Sequence, residues 1–98
     1  MITIVADFTV RKQDKEKLLE AARELTTQSR KEPGNVSYAL YEQIDDPYHM
    51  SFIERWQDQA AVDRHLATEH FNRICAQISN YMEAGMTITR YREREAGQ

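Results

Sequence analysis

Two hydrophobic periods alternate along this chain, and their order leaves few folds open. Met1–Val10 has period two: Ile2, Ile4, Ala6, Phe8 and Val10 share one face, and Thr3, Val5, Asp7 and Thr9 share the other. That is a strand with one buried face. Residues 14–31 switch to helical spacing, with Leu18, Ala22, Leu25 and Ser29 recurring, Leu19 beside them and Asp14 as the expected N-cap. Glu32-Pro33-Gly34-Asn35 stops that helix, because proline cannot continue it and glycine supplies the positive φ of a helix exit. Residues 36–44 and 49–56 are β-rich and flank Asp45-Asp46-Pro47-Tyr48, which predicts a hairpin. Asp58 caps a short helix through Leu66. Thr68 restarts the helix after a break, with Phe71, Ile74, Ile78 and Tyr81 as its apolar stripe and Gly85 as its expected end. Met86–Arg94 is a last strand, and residues 95–98 are expected as a loose tail.

The order β-α-β-β-α-β predicts one α+β domain over residues 1–98, a ferredoxin-like split βαβ unit with an antiparallel sheet and both helices on one face. The other face would carry Thr3, Val5, Asp7, Thr9, Thr87, Thr89 and Tyr91, too polar for a core and in parts too apolar to stay wet. A partner subunit is its natural cover. Composition excludes several classes. A net charge of −3 does not suit nucleic acid. No apolar run reaches the ~18 residues of a membrane span, and the first ten residues hold no leader pattern. The lone Cys75 cannot close an internal disulfide, which fits a reducing cytoplasm.

Chemistry concentrates in residues 35–71. His65 stands at the edge of the inward stripe of the short helix and can reach the seam between helix and sheet, where a neutral imidazole moves protons near pH 7. Glu54 lies between Phe52 and Trp56 on one strand face, so it is a carboxylate among aromatics whose pKa burial would raise. Phe8, Trp56 and Phe71 can wall a pocket. Tyr38 and Tyr41 lie on opposite strand faces, so at most one of them joins it. His70 sits in the first turn of the next helix. Arg90, Arg92 and Arg94 share a strand face and could hold an anion. No metal site is expected, since the five-residue spacings His65–His70 and His70–Cys75 do not align side chains on one helix face. With Gly34, Gly85 and Gly97 alone there is no phosphate-binding glycine loop.

The chain resembles the antibiotic biosynthesis monooxygenase family. The resemblance runs over residues 2–92 through Pro33-Gly34-Asn35-Val36-Ser37-Tyr38, Glu54-Arg55-Trp56, Asp58-Gln59-Ala60-Ala61, His65-Leu66 and His70-Phe71. It implies subunits that pair sheet to sheet into a dimeric α+β barrel, each with a pocket between helices and sheet. It also implies, for some relatives, oxygenation of a quinol or polyphenol without cofactor. There the deprotonated substrate reduces O₂ itself. On that reading His65 moves the proton with Glu54 as its partner, and Phe8, Trp56, His70, Phe71 and one of Tyr38 and Tyr41 line the pocket. Another branch isomerises a phosphorylated autoinducer-2-like sugar, and a non-catalytic dimeric ligand-binding module is a third possibility. Haem degradation fits poorly. Residues 1–10 lack asparagine, His65 stands in the short helix where that branch has tryptophan, and Cys75 lies near the ligand position.

Overall fold

The structure, a computed structural model, describes residues 1–94. The tail expected at 95–98 lies outside the described residues. The strands are β1 (Ile2–Thr9), β2 (Asn35–Gln43), β3 (Asp46–Trp56) and β4 (Thr87–Arg92); the helices are α1 (Lys15–Ser29), α2 (Gln59–Leu66) and α3 (Glu69–Ser79). The sheet order is β2-β3-β1-β4, and every neighbouring pair is antiparallel. This is the split βαβ order that the alternation of periods predicts.

The period-two face of β1 goes inward as expected: Ile4, Ala6, Phe8 and Val10 are buried, and Thr3, Val5, Asp7 and Thr9 face away from the helices. On α1 the buried residues are Leu18, Ala21, Ala22, Leu25 and Ser29. They pack beside Ile74 and Ile78 of α3 in a single core. Area removed from water drives this packing, at about 25 cal/mol per Å² of apolar surface.

Three local expectations shift. Asp14 makes no side-chain cap; a 3-10 turn at Lys12–Asp14 leads into α1 instead, closed by the Asp14 amide donating to the Arg11 carbonyl at 2.9 Å. The hairpin turn narrows to Ile44-Asp45, because Gln43 pairs with Asp46 and β3 begins there. Helix α3 ends at Ser79, well before Gly85. The chain leaves it to pair with the end of β1: the Arg11 amide donates to the Tyr81 carbonyl (2.8 Å), the Glu83 amide donates to the Thr9 carbonyl (2.9 Å), and Val10 bridges Met82. Those bonds outcompete another helical turn. Two caps hold as expected. Asp58 accepts from the Ala61 amide at 2.9 Å, and Thr68 accepts from the Phe71 amide at 3.2 Å.

Gly34 fixes the link to the site. Its φ of +83° favours glycine, and a Cβ there would stand 2.5 Å from the Cβ of Ala61 in α2. Its carbonyl accepts from the Gln57 amide at 2.9 Å. The turn 30–34 is therefore pressed against α2.

Candidate active site

A cleft of about 710 Å³ opens between α3 and the inner face of the sheet. Its walls are apolar: Ile4 and Ala6 of β1, Phe52 of β3, Phe71 and Ile78 of α3, and Ile88 of β4. The polar groups among its lining residues include Tyr38, Glu54, Cys75 and Arg90. An apolar cavity with a few placed polar groups is the usual form of a small-molecule site.

Glu54 is the acid of this wall. Its Oε1 accepts a 2.8 Å hydrogen bond from Nε1 of Trp56. Burial still dominates and pushes its carboxyl up to about 7. The carboxyl therefore sits near the midpoint of its proton exchange at neutral pH. Tyr38 is buried at 2% exposure and is held far above the usual phenol range, first by burial and then by the Glu54 charge, so it stays neutral. Burial likewise pushes the Cys75 thiol up to about 11, which makes it a poor nucleophile at neutral pH.

His65 stands behind this wall. The expectation put His65 at the point of proton transfer with Glu54 as its partner; of the two, Glu54 lines the cleft and His65 lies behind it. The ring is wedged between Trp56 and Phe71, with centroids 4.6 and 4.8 Å away. It is buried and does not line the cleft. Among the described residues its Nε2 has no hydrogen-bond partner; it lies 3.9 Å from Glu54 Oε1. Its Nδ1 lies 2.7 Å from Oε2 of Glu32. Burial pulls the imidazole below its ordinary range, against the pull of Glu32 in the other direction.

Glu32 escaped the sequence reading, which took it as part of a helix stop. Its Oε2 also meets Nε2 of His70 at 2.8 Å. The spacing argument against joining His65 and His70 assumed one continuous helix. The break after Leu66 separates α2 from α3, and both rings meet one carboxylate. The three donor atoms lie within 4.8 Å of one another, and two imidazoles with a carboxylate are a set that could hold a divalent ion. Among the described residues no sequence signal marks Glu32 beyond its place before Pro33-Gly34; the fold alone supplies its partners.

The remaining expectations divide. Tyr38 and Phe71 line the cleft. Phe8 does not: it is core, stacked on Phe52 at 5.8 Å between centroids. Trp56 is fully buried beneath Glu54 and reaches the cleft only through it. Tyr41 lies on the opposite face at 54% exposure, because a register shift between Asn35 and Ser37 sets Tyr38 inward. His70 lies on the outer side of Glu32 and is absent from the cleft lining. Of the strand arginines, Arg90 lines the cleft.

A four-stranded antiparallel sheet with a cleft under its helices and a raised-pKa carboxylate in the wall defines a ferredoxin-like ligand-binding or catalytic domain. The chain belongs to the antibiotic biosynthesis monooxygenase family, which it matches over residues 1–77. It is 31% identical over 90 residues to "Putative monooxygenase YcnE" of Bacillus subtilis strain 168, covering 92% of this chain and 95% of that one. A crystal structure of an antibiotic biosynthesis monooxygenase superposes with a TM-score of 0.91 at 33% identity, covering 97% of this chain and 100% of the other. A conserved protein of Methanosarcina mazei Go1 superposes with a TM-score of 0.93 at 25% identity, covering 95% and 92%. Among the described residues no helix is long and apolar enough to cross a membrane.

Proposed function

We propose that the protein is a cofactor-independent monooxygenase of the cytoplasm that oxidises a small electron-rich aromatic, a quinol or polyphenol, with O₂. Family membership supports the reaction class. The observation that carries the mechanism is Glu54, a carboxylate raised to about 7 in the wall of an apolar cleft. Glu54 takes the substrate hydroxyl proton and His65 supports it from behind. The electron-rich anion then reduces O₂; one oxygen atom enters the ring, which ends oxidised to a hydroxyquinone, and the other leaves as water with two hydrogens from the substrate, so the substrate supplies every electron. The apolar walls keep solvent from quenching the intermediate. Tyr38 and Phe71 hold the ring.

A second copy completes the molecule on this reading. The sheet face away from the helices carries Val5, Ala39, Ile53, Tyr41 and Tyr91, the two tyrosines exposed at 54% and 56%. Sheet-to-sheet pairing would bury them in a homodimer.

Arg90 at the cleft favours one other reading, an isomerase for a phosphorylated sugar-like substrate with Glu54 shuttling the proton. Oxygen uptake separates the two. Purified, metal-depleted protein is assayed against a panel of quinols and polyphenols beside Glu54→Gln. Protein-dependent uptake lost in the variant supports the oxygenase. Absence of uptake overturns it, and conversion of sugar phosphates without O₂ would install the isomerase.

A further inference from the structure

The Glu54–His65 pair does not end at His65. From the cleft outward the side chains run Glu54 (8% exposed), His65 (1%), Glu32 (9%) and His70 (18%). The carboxylate of Glu32 meets both imidazoles through a single oxygen, at 2.7 and 2.8 Å. A carboxylate only accepts hydrogen bonds, so each ring presents an N–H to it. His65 is thereby held as the Nδ1–H tautomer. Its bare Nε2 lone pair is left buried, and Glu54 Oε1 is 3.9 Å away.

We infer that Glu32 is a positioning residue for the Glu54–His65 pair: it accepts from His65 Nδ1–H and so fixes the tautomer that leaves the bare Nε2 toward Glu54. His70 meets the same Glu32 oxygen at 2.8 Å and braces the carboxylate from its outer side. The ring itself is held between Trp56 and Phe71, so the tautomer and the direction of Nε2 are set together.

The inference rests on the proton-transfer reading of Glu54, but its test needs no turnover. The chain has three histidines, and His49, on the opposite sheet face, serves as an internal control. Nitrogen NMR of the imidazoles reads tautomer and charge directly. In the wild type His65 is expected as Nδ1–H. His70→Gln keeps an N–H toward Glu32, so the Nδ1–H signature of His65 should persist in it. Glu32→Gln should abolish the Nδ1–H preference, while His49 stays unchanged in both variants. A wild-type His65 found as Nε2–H overturns the inference, and so does an Nδ1–H preference that survives Glu32→Gln. Added Zn²⁺ that displaces the Nδ1 proton of His65 also overturns it, in favour of a metal centre. If the tautomer and its dependence on Glu32 hold while no oxygen is consumed, the inference stands and the oxygenase reading alone fails.

Discussion

Trp56 donates its indole N–H to Glu54, two residues back on the same strand, at 2.8 Å. Residues i and i+2 share a strand face, so a single strand supplies both the acid and the donor that restrains it. Trp56→Phe keeps a ring and removes the donor. Glu54 should then move above its value of about 7, and the rising limb of a pH–rate profile should move with it. Stability should fall by about 1–3 kcal/mol, read by denaturant unfolding. A pH–rate profile unchanged in the variant would argue that Glu54 is not the titrating base.

Glu54→Gln separates chemistry from folding. Turnover should drop by roughly 10²–10⁴-fold, the usual contribution of a general base. Stability should respond in the opposite sense. The folded state holds the Glu54 proton up to about 7 and an unfolded carboxyl only to 4.5, so wild-type stability declines as pH rises across that interval. The variant lacks this decline. Its advantage over wild type should therefore grow from pH 4.5 to 7 and level off, reaching at most about 3 kcal/mol. His65, pulled below its ordinary 6.5, gives the opposite slope in both proteins, since stability is lost as pH falls below that value. Melting temperatures at pH 5 and pH 8 check both signs.

His65→Ala removes a ring packed against Trp56 and Phe71 and leaves Glu32 with His70 alone. Lost packing plus a half-satisfied carboxylate should cost about 2–5 kcal/mol by denaturant unfolding. Turnover measured on the folded fraction should fall by at least about tenfold, and a smaller loss would remove His65 from the proton path.

Gly34→Ala should destabilise the fold by about 2 kcal/mol or more, because both the φ of +83° and the 2.5 Å approach to Ala61 resist a side chain. A thermal melt within a degree of wild type would contradict the close packing of the 30–34 turn on α2.

Tyr41→Glu combined with Tyr91→Glu should turn a dimer into a monomer in sedimentation velocity, since both changes place charge on the exposed sheet face. A wild-type protein that sediments as a monomer would remove the pairing outright.

The fold was legible because each element announces its period. The alternation from Ile2 to Val10 and the spacing of Leu18, Ala22 and Leu25 are properties of one segment at a time, and the β-α-β-β-α-β order follows from listing them. Glu54 was legible for the same reason, since a carboxylate between Phe52 and Trp56 is anomalous within its own strand. Glu32 was not. Its meaning lies in two rings reached at sequence separations of 33 and 38 residues, and nothing local distinguishes it from a helix-terminating polar residue. The order of Glu54 and His65 was hidden too, because which of two adjacent groups meets a cavity depends on how α2 lies on β3. The reach of α3 was overestimated because the sequence shows a stripe ending at Tyr81 but not the backbone bonds that draw residues 80–83 toward Thr9 and Arg11.

Strand β4 lies at the sheet edge, and its inward-facing Ile88 is 61% exposed although it lines the cleft. Behind Glu54 the wall of the same cavity is backed by Trp56, His65 and Glu32, where almost any replacement disturbs a buried contact. The two parts of the wall therefore differ in how much change the fold tolerates. Residues 88 and 90 can be exchanged with little penalty to folding, so the rim can change shape while the packed wall behind Glu54 stays fixed. A cavity divided in this way can change what it admits without rebuilding its foundation.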